Sequence, residues 1–276
     1  GCMTTEAAYF TKKPMMRIWK FFIRKWIKKS RIITMTTPFY IDFINRFYLQ
    51  SNLYLSAAKK YEIIPNTIFS EDYELLDKTK LYEQFSIKND CFTMLTLGRM
   101  DYDVLLQKGI EDVIFTLHRI KEKFHKENFS LLIIGQGDQR IYLENLTKKL
   151  NLSNNIIFIE QTTHIEVLSL SKYVNATVLY SRFEGMSMFA LESISFGCLP
   201  VFFFFCGLKD LVEDKSFGFL VEPQNISKLT ETILQVMKLP ETEAQKIRNH
   251  AIQHFKDNFT PEIVAEKFSN AVDFVQ

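Results

Sequence analysis

The sequence predicts a doubly wound α/β fold, a parallel sheet with helices on both faces. Three observations predict it. Short apolar runs rich in β-branched and aromatic residues recur after residue 90 without polar alternation, as in "SLLII" and "PVFFFF". Such runs mark strands buried on both faces. Stretches with helical spacing follow most of them, the rhythm of successive βαβ units. Finally, several runs close on glycine or a charged residue, as at Gly98-Arg99 and Gly135-Gln136-Gly137. In open sheets of this class, ligands bind at the carboxyl ends of the strands.

Taken in order, "CFTMLTLG" (91–98) is a strand and "KGIEDVIFTLHRIKEKF" (108–124) a helix. "SLLIIGQG" (130–137) is a strand ending in glycines, followed by the helical "QRIYLENLTKKLNL". "NIIFIE" (155–160) is a strand, "IEVLSLSKYVN" a helix and "ATVLYS" a strand. "EGMSMFALESISFG" is helical in its later part, and "LPVFFFF" (199–205) and "GFLVEP" (218–223) are strands. The tail from Asn225 to Gln276 is mostly helical, broken near Pro240 and Pro261, where a proline ends a helix or opens the next.

Composition excludes several classes. With 276 residues, 47% apolar and 24% charged, the chain suits one large domain or two modest ones and is not generally disordered. No apolar run reaches the ~18 residues of a spanning helix. The four cysteines, Cys2, Cys91, Cys198 and Cys206, have no metal-ligand spacing, and Cys91 and Cys198 adjoin apolar runs. That usage fits buried free thiols in a reducing, cytoplasmic setting. His250 and His254 stand four apart on a helical stretch, a spacing that suits two metal ligands or, more simply, a surface pair.

The net charge of +2 hides an asymmetry. Residues 1–60 carry twelve Lys/Arg against only Glu6 and Asp42, a basic front suited to an anionic surface. Within "KKPMMRIWKFFIRKWIKKSR" (12–31), Met15, Met16, Ile18, Trp19, Phe22, Ile23, Trp26 and Ile27 share one side of a helix. Arg17, Lys20, Arg24, Lys25 and Lys28 take the other, and Phe21 is the exception. An all-cationic face opposite two tryptophans is the pattern of a helix lying in a membrane interface. No nucleic-acid motif accompanies the charge.

The segment "EGMSMFALE" sets Glu184 and Glu192 at the ends of a mostly apolar run, at a strand-to-helix turn. A helix N-terminus presents free N–H groups and partial positive charge, which favour phosphate, and Gly185 allows close backbone approach. Arg99 and Lys108 fall at neighbouring turns and add cations, so the site suits a diphosphate. Carboxylates accept hydrogen bonds from paired hydroxyls. One glutamate on each side of the helix terminus therefore suits a nucleotide sugar, with a hydroxylated ring on each side of its diphosphate.

These segments together resemble the retaining GT-B glycosyltransferases of group 1, or family 4, over roughly residues 60–275. "IIPNTI" (63–68) is similar to the segment entering the interdomain linker, and "LGRM" and "QKG" to the family's phosphate-binding Arg and Lys. "LLIIGQGDQR" resembles its Gly-x-Gly turn, "SRFEGMSMFALESISFGCLPV" its E-x7-E signature and "CGLKDLVEDKSFGFLVEP" the next block. The resemblance implies that Arg99 and Lys108 bind the diphosphate and stabilise the leaving nucleotide. It implies the same for backbone N–H groups of Gly185, Met186, Ser187 and Met188. Glu184 would meet hydroxyls of the transferred sugar, and Glu192 the ribose. Neither a metal nor another cofactor is implied; the donor would be a UDP- or GDP-sugar.

The sequence departs from the family at a few positions. Glu160 stands where Gly is frequent near the base, Asp210 where Glu is usual, and Ser193 replaces a common Ala. The front departs most. A complete GT-B enzyme has two Rossmann-like domains, whereas here "SRIITMTTPFYIDFI" alone resembles the last strand and helix of the first. The expected organisation is a truncated acceptor-side remnant (1–62), a linker (63–90) and a donor-binding domain with helical tail (91–276). The expected function is transfer of a sugar from a nucleotide sugar to a glycan or lipid-linked acceptor at a membrane surface, in surface polysaccharide or lipopolysaccharide assembly; either the chain is a truncated product or a second chain supplies the acceptor half. A non-catalytic nucleotide-sugar-binding subunit or truncated inactive relic, and a nucleotide-sugar epimerase of GT-B fold, are the alternatives.

Overall fold

The computed structural model describes residues 16–45, 61–69, 73–102, 108–126, 128–182, 184–204, 206–212, 217–222 and 225–273. Its larger body is a six-stranded, all-parallel sheet in the order β5-β4-β3-β6-β7-β8. The strands are β3 (Phe92–Leu97), β4 (Phe129–Ile134), β5 (Ile156–Ile159), β6 (Ala176–Leu179), β7 (Leu199–Phe203) and β8 (Phe219–Val221). Every residue of β4, β6 and β7 is buried, which is why these strands read as continuous apolar runs. β3 and β4 pair from Phe92↔Phe129 to Leu97↔Ile134, so their carboxyl ends finish level.

Helices α4 (Ile110–Phe124) and α9 (Ile226–Met237) pack together in one layer. A second group packs together from α3 (Lys78–Gln84), α6 (His164–Tyr173), α7 (Met188–Ser195) and α10 (Glu241–Asn258). The helices α5 (Arg140–Lys149), α8 (Cys206–Leu211) and α11 (Pro261–Asp273) complete the body. Local chemistry sets several of their ends. Acids open α4 and lysines close it, matching the helix dipole. Thr163 and Glu166 form a reciprocal capping box at α6.

The chain builds β3, β4 and β5 in one direction, then crosses back to lay β6, β7 and β8 on the other side of β3. The carboxyl ends of β3 and β6 therefore flank the switch point, the place where open sheets of this class form their ligand crevice.

The smaller part contains α1 (Met16–Lys29), β1 (Ile33–Met35), α2 (Phe39–Ile44) and β2 (Tyr61–Ile63), with β1 and β2 paired in parallel. Its core is Ile27, Met35 and Tyr40, with Ile23 packed against it. Ile23 and Ile27 thus turn inward, while Phe21, Phe22 and Trp26 are 63%, 44% and 60% exposed. Of the expected apolar face, Ile23 and Ile27 face protein, and Phe22 and Trp26 face solvent. Residues 12–15 of the segment lie outside the described residues. The Phe39 N–H donates to Asp210 Oδ2 at 2.8 Å, which ties α2 to α8.

Within the stretch 63–90, Ile68, Leu81, Tyr82 and Ile87 are buried in the main core. Asn66 Nδ2 donates to the Met186 carbonyl at 3.0 Å, and Thr67 Oγ1 to the Phe259 carbonyl at 2.6 Å. The stretch is therefore anchored both to the loop before α7 and to the end of α10. His254, expected as half of a surface pair, is half-buried between Phe217 and Phe259, with ring centroids at 4.7 and 5.4 Å. Contact with two phenyl rings is the physical reason that it does not stand out beside His250.

Candidate functional site

The connections after β3 and β6 meet at the switch point. The first follows β3. A Cβ on Gly98 would stand 3.2 Å from Cγ and Cδ of Lys108, so the lysine stem lies across the end of β3. Gly109, next in the chain, has φ +64, and a Cβ there would collide with the Tyr180 carbonyl at the end of β6. Only glycine satisfies both demands, left-handed backbone and close approach. The "KG" pair is thus a placing device: Gly109 seats against β6, and Lys108 then bridges the crevice.

Lys108 Nζ reaches Glu184 Oε2 at 2.7 Å, with the two side chains 19% and 18% exposed. Nearby, Arg182 Nη2 donates to Asp112 Oδ2 at 2.8 Å. Asp112 lies in the first turn of α4, so two ion pairs join the connection after β3 to the one after β6. Sequence reasoning gave no role to Asp112 or to Arg182, which stands within the quoted signature block; only the return of β6 beside β3 brings them together.

Glu184 precedes α7. Its carbonyl accepts from Gly207 N at 3.0 Å, and a Cβ on Gly207 would collide with the Gly185 carbonyl. Tyr40 of α2 closes the other side, since a Cβ on Gly185 would collide with its hydroxyl. The Gly185–Ser187 turn is therefore clamped between α2 and α8. Ser187 caps α7 by accepting from Ala190 N at 3.3 Å. The first N–H groups of this helix point toward the turn, as at any helix start, and Gly185, Met186, Ser187 and Met188 lie together there.

Glu192 sits further along α7 and is 7% exposed. Its Oε1 lies 2.8 Å from His164 Nε2 at the start of α6, and Tyr73 stacks edge-on against that imidazole at 5.5 Å. Burial pushes the Glu192 carboxyl above the ordinary carboxylate range, opposed by the hydrogen bond and charge of His164. His164 is a third residue to which sequence reasoning gave no role. Ser193 is fully buried and returns its hydroxyl to the Ala190 carbonyl at 2.9 Å, so its departure from Ala is absorbed within the helix.

Arg99 stands apart from these pairs. Its side chain is 72% exposed and lies 3.6 Å from Asp101. It lines a cavity of about 510 Å³ at the carboxyl ends of β3, β4 and β5, together with Gln136, Glu160 and Gln161. Gly135 and Gly137 have φ +148 and +153 and press against the backbone of Gly98 and Met100. The Gly-x-Gly turn is accordingly a packing contact between the β3 and β4 loops, and it forms one wall of this cavity.

Among the described residues, no group of three or more His, Cys, Asp or Glu is placed to hold a metal ion. The triplet Asp101-Tyr102-Asp103 has the D-x-D spacing often found where transferases hold a divalent ion, and the expectation of a metal-free site overlooked it. Asp101 faces Arg99, and Asp103 lies outside the described residues.

Comparison with known proteins places this arrangement. Residues 77–254, well over half of the chain, match the family described as glycosyl transferases group 1, and the chain belongs to that family. An uncharacterized glycosyltransferase of Haemophilus influenzae is 30% identical over 176 residues, covering 62% of this chain and 45% of its own length. The chain thus spans about half the length of the curated relatives it matches. Anabaena Alr3699/HepE, crystallised with UDP and glucose, aligns with TM-score 0.76 at 15% identity, over 92% of this chain and 66% of that one. WaaG, a glycosyltransferase involved in lipopolysaccharide biosynthesis, aligns with TM-score 0.73 at 18% identity, over 99% of this chain and 72% of that one. These likenesses establish the GT-B type of fold for the described parts.

Proposed function

We propose that the chain provides the donor half of a retaining, hexosyl-type glycosyltransferase. It takes a nucleotide sugar and delivers the sugar to a glycan or lipid-linked acceptor in surface polysaccharide or lipopolysaccharide assembly. One observation carries the proposal: Lys108, Glu184 and the start of α7 converge on the switch-point crevice, with Glu192 behind them. Lys108, the helix N–H groups around Gly185 to Met188 and the long, exposed side chain of Arg99 supply positive charge for a leaving diphosphate. Glu184 accepts from hydroxyls of the transferred sugar, and Glu192 from the ribose. Neutralisation by these groups makes a metal unnecessary. Stereochemical retention follows the family resemblance and assigns no covalent role to Glu184. The neighbours crystallised with UDP or working on lipopolysaccharide support this substrate class.

The exposed Phe21, Phe22 and Trp26, with the exposed Lys25 and Lys29 beside them, support peripheral attachment to an anionic membrane on the cytoplasmic side. The acceptor half comes from a second chain or from sequence outside this one. A non-catalytic nucleotide-sugar-binding subunit is the second reading.

The test incubates the chain with labelled nucleotide sugars and membranes or lipid-linked acceptors, alone and with co-purifying partners. Glu184→Gln serves as control. Label appearing in the acceptor, dependent on Glu184, supports transfer. Binding without transfer under every condition supports the subunit. Sugar remaining on the nucleotide with altered configuration identifies an epimerase and refutes the proposal. For the membrane, flotation with anionic vesicles should be salt-sensitive; equal flotation with neutral vesicles refutes the interfacial helix.

A further inference from the structure

The turn before α7 is held from two sides by groups that lie elsewhere in the sequence. The Gly207 N–H donates to the Glu184 carbonyl at 3.0 Å. Asn66 Nδ2 donates to the Met186 carbonyl at 3.0 Å, across 120 residues. The Asn66 backbone N–H donates to Met186 Sδ, also at 3.0 Å. Met186 is buried in the main core. Asn66 thus holds one residue twice, by its carbonyl and by its sulfur.

The consequence follows from peptide geometry. A trans peptide is planar, so its C=O and N–H point in opposite directions. Fixing the Met186 carbonyl toward Asn66 turns the Ser187 N–H away from Asn66. Fixing the Glu184 carbonyl toward Gly207 does the same for the Gly185 N–H. Ser187 is the N-cap of α7, and such an N–H has no acceptor within its helix. Two of the N–H groups offered to the diphosphate are therefore aimed by supports behind them. Donors held in place before the ligand arrives need no reorganisation when its charge appears.

Asn66 is well fixed for this task. Two residues before it, the Ile64 N–H donates to the Met35 carbonyl of β1 at 2.8 Å. The residue after it, Thr67, donates through Oγ1 to the Phe259 carbonyl at 2.6 Å, and Ile68 beyond is buried. Only a donor fits opposite a carbonyl, so a carboxamide serves where a carboxylate or an aliphatic side chain would not.

We infer that Asn66 is a positioning residue for the donor diphosphate, acting through the Met186–Ser187 peptide to aim the Ser187 N–H. The inference deepens the donor-site proposal and rests on it. It gives a stretch expected to be a linker a part in binding.

The experiment titrates the 15N-labelled chain with UDP and with GDP, comparing wild type, Asn66→Leu and Asn66→Ala. Leucine keeps the shape of asparagine without its donor, and neither variant adds a charge that would repel phosphate. In wild type, nucleotide should shift the amide resonances of both Gly185 and Ser187. In the variants, affinity should fall about 5- to 10-fold, the worth of one neutral hydrogen bond. The Ser187 shift should shrink, while that of Gly185, supported by Gly207, is kept. A Ser187 shift unchanged in both variants overturns the role of Asn66 and leaves the donor site standing. Equal losses at Gly185 and Ser187, or loss of the folded state in both variants, make Asn66 a structural bond and overturn the role as well. Nucleotides that shift neither amide in the folded wild type overturn the donor-site proposal and this inference together.

Discussion

Replacing Glu192 with Gln separates binding from folding, because the two effects carry opposite signs. The carboxylate is 7% exposed, and burial raises its pKa above the ordinary value. A carboxyl whose folded pKa exceeds its unfolded pKa opposes folding once both states are ionised. Below the unfolded value neither state is charged and nothing is lost; the loss grows between the two values and is complete above the folded one. At neutral pH the group therefore destabilises the fold, and acidification through its folded pKa relieves this. Gln keeps the shape and an acceptor for His164, so the variant should be as stable as wild type or up to about 1 kcal/mol more stable at pH 7. Binding moves the other way. Two ribose hydroxyls donating to a carboxylate are charge-assisted bonds, and a carboxamide replaces at most one of them as a neutral acceptor. The loss is roughly 2–3 kcal/mol, about 30- to 150-fold in affinity. Urea unfolding and nucleotide titration read the two effects on one sample. Wild-type affinity in a folded variant would refute the ribose contact. A stability loss above about 2 kcal/mol would make the His164–Glu192 pair a structural bond instead.

Other perturbations probe neighbouring parts. Lys108→Gln breaks the 2.7 Å pair with Glu184; nucleotide affinity should fall and its salt dependence should flatten, as seen by titration at low and high salt. Gly109→Ala combines a φ of +64 with a collision at the Tyr180 carbonyl and should destabilise by about 2–4 kcal/mol, measured from the urea midpoint. Cys198 is 1% exposed and its thiol is pushed up to about 12 by burial. It should escape alkylation in the native protein and react only after unfolding, which peptide mapping by mass spectrometry would check.

Much of the fold is legible because a parallel sheet buried on both faces leaves an unambiguous mark. Each run from "CFTMLTL" to "GFLV" became a strand, since residues such as Leu131, Val178 and Phe202 have no solvent side to alternate with. The short elements are less legible. β2, three residues long, has no pattern of its own and exists through its pairing with β1. α3 lies in a stretch read as linker, and its Leu81 and Tyr82 find their place only against α6 and the core. The front helix shows the same limit. Its wheel gives one apolar face, but which part of that face meets protein depends on where Met35 and Tyr40 stand.

The sequence by itself determined the class of fold, the order of its elements and the residue types at the strand ends, because burial and turn chemistry are written locally. It placed Arg99, Lys108, Glu184 and Glu192 at connections where a sheet of this kind binds ligands. Only the tertiary structure decided who meets whom. Lys108 pairs with Glu184, Arg182 with Asp112, and His164 with Glu192, across separations of 76, 70 and 28 residues. Those partnerships arise because the chain returns from β5 to lay β6 beside β3. Contacts fixed by that crossover have no local signature.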